Sequence, residues 1–175
     1  MIHSDFSTVC KYFEARYGAM AGSGAVPYRQ TERGAWAFSR LREVHYFFRT
    51  LKLERYRSLI DLGSGDGIVV CVAALFTRAI GIEINGELCR LAARAARDLG
   101  LERRARFIRS DYTTQRIQAA DCLYLYPDKP IHAMEALLES WSGDLLVYGP
   151  HFPAARMKAV RRLESGPERL VIYRN

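Results

Sequence analysis

A doubly wound α/β fold with a mostly parallel sheet is predicted by three observations. From Arg57 onward, short apolar runs alternate with helical patterns, the rhythm of strands joined by right-handed helical crossovers. The first run, LIDLGSGDGIVV over residues 59–70, stops at an aspartate and passes through glycines at alternate positions, as a strand does when it turns sharply into a helix. The last two strand-like runs, 156–163 and 168–173, are separated only by ESGP, a turn that joins antiparallel neighbours.

The elements follow in order. Phe6, Val9, Cys10, Phe13 and Tyr17 recur at three- and four-residue spacing and predict a helix over 5–17, with Ser4 or Asp5 capping it. The small-residue linker GAMAGSGAVPYRQ breaks the pattern, which resumes with Trp36, Phe38, Leu41, Val44, His45, Phe48 and Leu51 as a second helix. Strands are predicted over 58–62, 79–84, 105–109, 121–126 and 144–148, and helices over 67–76, 86–99 and 130–141. A single domain of 175 residues is expected, with 1–56 as a helical extension and candidate lid and 57–175 as the core.

Composition narrows the function. The longest apolar stretch, Ile68 to Phe76, has nine residues against the about 20 that cross a bilayer, so a cytoplasmic protein is expected. Cys10, Cys71, Cys89 and Cys122 lie far apart, with no C-x-x-C pair and no histidine cluster, which argues against a metal centre. The net charge of +7 would suit an acidic partner such as nucleic acid, and Arg97, Arg103, Arg104, Arg106 and Arg109 form the densest basic group. Most other arginines are scattered singly, in the manner of solvated surface charge.

Two ligand classes compete for the glycine loop. A dinucleotide fingerprint needs its third glycine at position 68, which is Ile, and Asp66 would sit beside a pyrophosphate. A cationic ligand has the opposite preference, because carboxylates at Asp61 and Asp66 attract it. Glu83 closes the second strand, 20 residues after Gly63, the place from which an acid in a βαβ unit accepts hydrogen bonds from ribose hydroxyls. Asp111 follows the third strand in FIRSDY. Asp111 could instead simply cap the segment that follows it, whereas a charge at the strand end where Glu83 sits has little packing use.

The pattern Asp61, Gly63, Gly65, Gly67 resembles the first motif of the class I S-adenosylmethionine-dependent methyltransferases. The resemblance implies a Rossmann-like methyltransferase sheet and S-adenosyl-L-methionine as cofactor. It implies that the loop of Gly63, Ser64, Gly65, Asp66 and Gly67 wraps the amino acid portion and ribose, that Asp61 faces the ammonium, and that Asp111 meets the adenine amino group. Over roughly residues 57–128 the chain looks like the small protein-lysine methyltransferases related to the one that modifies the ATP synthase c-subunit, differing at Ile68, where that group often has arginine. Residues of the fourth strand reach the reacting methyl in this fold, which points to LYLYPD over 123–128, with Tyr126 and Asp128 as candidate catalytic residues that orient an amine or accept its proton. His151 and Phe152, after the fifth strand, face the same end. The expected function is therefore methyl transfer, possible acceptors being a protein lysine, a small molecule or RNA, with a non-catalytic module that keeps the fold as the alternative from another class.

Overall fold

The structure is a computed structural model in which residues 5–22, 28–31, 34–37 and 39–175 are described, the two short strands at 28–31 and 34–37 by backbone alone. The chain opens with helix α1 (Phe6–Gly22), whose first turn is capped by Asp5 accepting from the Thr8 amide at 2.8 Å. Strands β1 (Tyr28–Thr31) and β2 (Gly34–Ala37) then form an antiparallel hairpin with Tyr28 opposite Ala37. Helix α2 (Leu41–Leu51) follows and buries Val44, Phe47, Phe48 and Leu51.

The core is a seven-stranded sheet built from β3 (Ser58–Leu62), β4 (Arg78–Glu83), β5 (Ala105–Arg109), β6 (Cys122–Leu125), β7 (Asp144–Tyr148), β8 (Lys158–Ser165) and β9 (Glu168–Arg174). Strand order is β5-β4-β3-β6-β7-β9-β8, parallel except for β9, which runs against both of its neighbours. Helices α3 (Ile68–Ala73), α4 (Gly86–Asp98) and α5 (His132–Leu137) fill the crossovers. The doubly wound sheet and its closing hairpin are as the sequence predicts.

Strand alternation sorts the core into two layers. On one face Leu59, Tyr124, Leu146, Tyr148 and Ile172 pack against α1, α2, α3 and α4. On the other, Ile60, Leu62, Leu123, Leu125 and Val147 pack under α5 and the short turn Ile117–Ala119. Helix α3 is apolar all round because the sheet lies on one side of it and α1 and α2 on the other, so every one of its residues is buried. Helix α4 is amphipathic instead, with Leu88, Cys89, Ala92, Ala95 and Ala96 inward and Asn85 capping it through the Glu87 and Leu88 amides.

Three boundaries differ from expectation. The second helix begins at Leu41 rather than near Trp36, which lies on β2. Trp36 and Phe38 are two apart, a spacing that suits a strand and not one face of a helix, and Gly34 opens β2. The first helix runs on to Gly22 through the small residues that read as a linker. Over 130–141 only His132–Leu137 is α-helical, and Trp141 instead anchors the following turn by donating Nε1–H to the Ala120 carbonyl at 2.8 Å.

All four cysteines are free and buried, and no group of ligating side chains suited to a metal occurs among the described residues. None of the described helices is long and apolar enough to cross a membrane.

Candidate functional site

Strand order reverses between β3, which continues to β4, and β6 on its other side, and ligands of such sheets bind in the crevice at that end. The loop leaving β3 is fastened to β4 by backbone bonds. Gly63 and Ser64 both donate to the Ile82 carbonyl, at 2.9 and 3.0 Å, and Gly67 donates to the Ser64 carbonyl at 3.0 Å. The Glu83 carboxylate completes the fastening, taking the Gly65 amide on Oε2 at 2.8 Å and the Asn85 amide on Oε1 at 2.7 Å.

Two of the glycines are dictated by different needs. Gly63 has φ +80° and nothing within 4 Å of where a Cβ would project, so the backbone there turns through the left-handed region beside open space. Gly67, at φ +88°, is instead crowded: a Cβ would stand 2.6 Å from Ala92 Cβ and 2.8 Å from the Phe107 ring. One glycine bares the backbone to the crevice, and the other lets loop and helix close together.

The crevice holds a cavity of about 280 Å³ lined by Asp61, Gly63, Ser64 and Asp66 from the loop side, Tyr124, Tyr126, Pro127 and Asp128 from β6 and beyond, and Ser39, His151 and Phe152. Ile68 and Val69 of α3 complete the wall. Asp61 stands level with Tyr124 of the adjacent strand and is 3% exposed. Burial, then the nearby Glu83 and Asp66 charges, hold its carboxyl well above the usual carboxylate range. Asp66 is also pushed up by burial, with Arg16 and Tyr17 acting against that shift. Three acids converge here, and Glu83 and Asp66 make the ionised form of Asp61 costlier.

Tyr124 is fully buried, with its ring edge-on to Phe48 and its hydroxyl 3.0 Å from that of Ser39. Tyr148 accepts from the Arg40 amide at 3.2 Å, and Arg40 pairs with Glu168 at 2.9 Å, so the segment entering α2 is latched onto the sheet beside the cavity. Tyr126 lies just past β6, 37% exposed, packed edge-on against Tyr148 at 4.9 Å. Burial and then the Glu168 charge raise its hydroxyl pKa, which keeps it a proton donor in neutral water.

The cavity thus brings together Asp61, Gly63, Ser64, Asp66, Tyr126 and Asp128 of the residues singled out from sequence, along with His151 and Phe152. Gly65 and Gly67 shape the loop from behind, and Glu83 braces it. Asp111 stands apart: it accepts from the Thr113 amide at 2.9 Å and the Thr113 hydroxyl at 2.7 Å, capping the turn after β5. Ser39, Arg16 and Tyr17 carried no sequence signal, because each reaches the site from an element remote along the chain. The side chains of Tyr28 and Trp36, within the 1–56 extension expected as a candidate lid, lie outside the described residues. The basic group is split along β5: Arg103 and Arg104 precede the strand and lie at the end away from this crevice, whereas Arg109 closes it opposite Glu83.

Strand order, the closing antiparallel pair and the glycine loop after the first core strand define the fold of the class I S-adenosylmethionine-dependent methyltransferases. An RNA methyltransferase from Salinibacter ruber in complex with S-adenosyl-L-homocysteine matches with a TM-score of 0.71 at 23% identity, over 79% of this chain and 93% of that one. A methyltransferase from Geobacter sulfurreducens matches with 0.65 at 14% identity, over 93% and 88%. A putative methyltransferase from Escherichia coli matches with 0.55 at 16% identity, over 78% and 84%. No protein-family model and no curated protein matches the chain. At these identities the likeness is one of fold.

Proposed function

We propose that the chain is an S-adenosylmethionine-dependent methyltransferase whose cofactor lies along the β3 loop with its sulfonium end in the cavity. The carrying observation is Asp61, a carboxylate buried among other acids at the switch point, whose charge a cationic ligand would stabilise and an anionic one would oppose. Gly63 adds a bare, left-handed turn on the cavity wall, which fits close approach of a ligand to the backbone. In this reading Asp61 and Asp66 hold the amino acid portion and Glu83 takes the ribose hydroxyls alongside its two backbone donors. Asp111 lies toward the adenine end.

When bound, the cofactor supplies an electrophilic methyl group and leaves as a neutral thioether. The chain's part is alignment and exclusion of water. Tyr126 and Asp128 share the cavity wall, where the tyrosine hydroxyl can orient an incoming nucleophile and the carboxylate can take its proton. The aromatic rings of Tyr126, Tyr124 and Phe152 keep that side apolar.

A protein lysine amine is the acceptor this reading favours, supported by the resemblance over residues 57–128 and by a cavity of aromatic and acidic side chains, which suits an amine. RNA is the second reading, supported by the RNA methyltransferase among the similar structures. Incubation of the protein with labelled S-adenosylmethionine and a cell extract tests both, label in protein favouring the first and label in RNA the second. Calorimetry should show heat of association with S-adenosylhomocysteine and none with NAD, and the reverse result would remove the cofactor assignment. Tyr126→Phe is expected to leave cofactor affinity within a factor of about two and to lower turnover by roughly 10²-fold, the range of one positioned proton-transfer group. Single-turnover rates measured beside binding isotherms separate the two quantities, and unchanged turnover would remove Tyr126 from the catalytic assignment.

A further inference from the structure

We propose that Glu135, buried in α5 outside the cavity, is a positioning residue for the methyl acceptor. It clamps the loop between β7 and β8, and through that loop it fixes Phe152 as the wall that admits a slender alkyl amine. The inference rests on the methyltransferase reading above and adds to it a residue that reading does not use.

Glu135 stands out by its surroundings. Ile131, Met134 and Leu138 beside it are buried and apolar, as this layer of the core requires, yet the Glu135 side chain is only 1% exposed. A buried carboxylate is costly unless donors meet it. Here Oε1 accepts the Arg156 amide at 2.6 Å and the Met157 amide at 3.3 Å. Oε2 lies 3.4 Å from Nδ1 of the exposed His132. One oxygen is therefore given over to two consecutive amides of a segment remote in sequence.

Those amides end the loop that carries the acceptor side of the cavity. The loop leaves β7 at Gly149, where a Cβ would stand 3.0 Å from the Tyr126 ring. It is pinned there twice: Gly149 donates to the Arg169 carbonyl at 2.9 Å, and Arg169 Nη2 donates to the Pro150 carbonyl at 3.3 Å. His151 and Phe152 follow, lining the cavity with Tyr126 and Asp128. Between the pins at Pro150 and Arg156 only residues 151–155 are left, and the ring of Pro153 fixes its own φ. A span that short, held at both ends, has little room to shift. Release of the Glu135 end leaves two amides without their acceptor and loosens the stretch that carries Phe152.

The makeup of the wall points to its ligand. Phe152 and Tyr126 offer ring surface to an alkyl stem, and Asp128 offers a carboxylate to an amine at its tip. The cavity is about 280 Å³, so with the sulfonium end inside it a slender group fits where a broad one does not.

The test uses the full chain, calorimetry and two probes: S-adenosylhomocysteine, and an analogue with nitrogen in place of sulfur that carries an aminobutyl arm. Wild type should prefer the armed compound. Phe152→Ala and Glu135→Ala should each shrink that preference by roughly tenfold, the order of coupling within one contact network. Glu135→Ala should leave affinity for S-adenosylhomocysteine close to wild type, and Glu135→Gln, which keeps an accepting oxygen, should retain the preference. The double variant should lose no more than Phe152→Ala alone, because Glu135 acts through Phe152. Trp141→Phe, which removes a hydrogen bond to Ala120 rather than to the loop, should leave the preference intact.

If the two losses add, if Glu135→Ala weakens both probes equally or changes neither, or if Trp141→Phe matches it, Glu135 is only a structural support and the inference is overturned. An unchanged preference in Phe152→Ala overturns it without any change at Glu135. If wild type binds both probes alike, the wall does not select an amine, and the inference falls while the cofactor reading stands. If it binds neither, the cofactor reading has failed and takes this inference with it.

Discussion

Asp61→Asn is expected to weaken cofactor binding by roughly a hundredfold while making the ligand-free chain more resistant to heat. Both effects come from one buried charge. Asp61 lies at the end of β3 with Glu83 and Asp66 nearby, and burial is the largest reason its carboxyl titrates above the ordinary 3.8. The sign for stability follows from proton counts. Between 3.8 and the raised value the folded chain holds a proton that the unfolded chain has lost, so stability falls as pH rises through that window. An asparagine has no proton to hold, and the variant should show a flatter dependence and a higher midpoint in neutral buffer. Ligand binding moves the other way, since removing a charged partner from a buried site weakens association by roughly a hundredfold. Denaturation followed across pH, beside calorimetry with S-adenosylhomocysteine, reads both quantities. A variant that binds like wild type would show that the crevice does not select a cation.

Gly67→Ala should give the largest loss of stability among the loop substitutions. The new methyl would meet Ala92 Cβ at 2.6 Å and the Phe107 ring at 2.8 Å, contacts that α4 and β5 must move apart to admit. Overpacking of that kind costs about 1–3 kcal/mol, and the left-handed backbone at φ +88° adds about 1–2 kcal/mol for a residue with a Cβ. A total near 3 kcal/mol is a large share of the about 5–15 kcal/mol that holds a domain together, and it should lower the melting temperature by roughly 6–12 °C. Gly63→Ala is the informative comparison. Its backbone is equally left-handed, but open space surrounds the Cβ direction, so it should lose less stability and more ligand affinity. Equal losses of stability in the two variants would mean that the approach of Ala92 and Phe107 to the loop is not tight.

The sheet was legible because each core strand carries its own signal: an apolar run, a turn at its end, and an acid or glycine where the chain leaves the core. Strand limits came within one or two residues for β3 through β7. Trp36 shows where local pattern misleads, since its spacing of two from Phe38 is that of a strand, and the helical pattern that begins at Leu41 does not extend back to it; its pairing with Arg29 places it on β2. The site was legible in its acids and glycines, whose chemistry is unusual at strand ends. Its surroundings were not. Tyr17 meets Asp66 across 49 positions of sequence, and Ser39 meets Tyr124 across 85. Neither tyrosine nor serine is marked by neighbours in the chain, because what brings them to the crevice is the docking of α1 and α2 against α3.

Glu83 gathers two of the loop's surroundings onto one side chain, the Gly65 amide and the Asn85 amide. Under the proposed function the same carboxylate also greets the sugar. Architecture and recognition then draw on a single group, and neither can drift without the other. A replacement at this position must satisfy the chain's own amides first, so the tightness of ligand capture is more freely tuned elsewhere along the crevice.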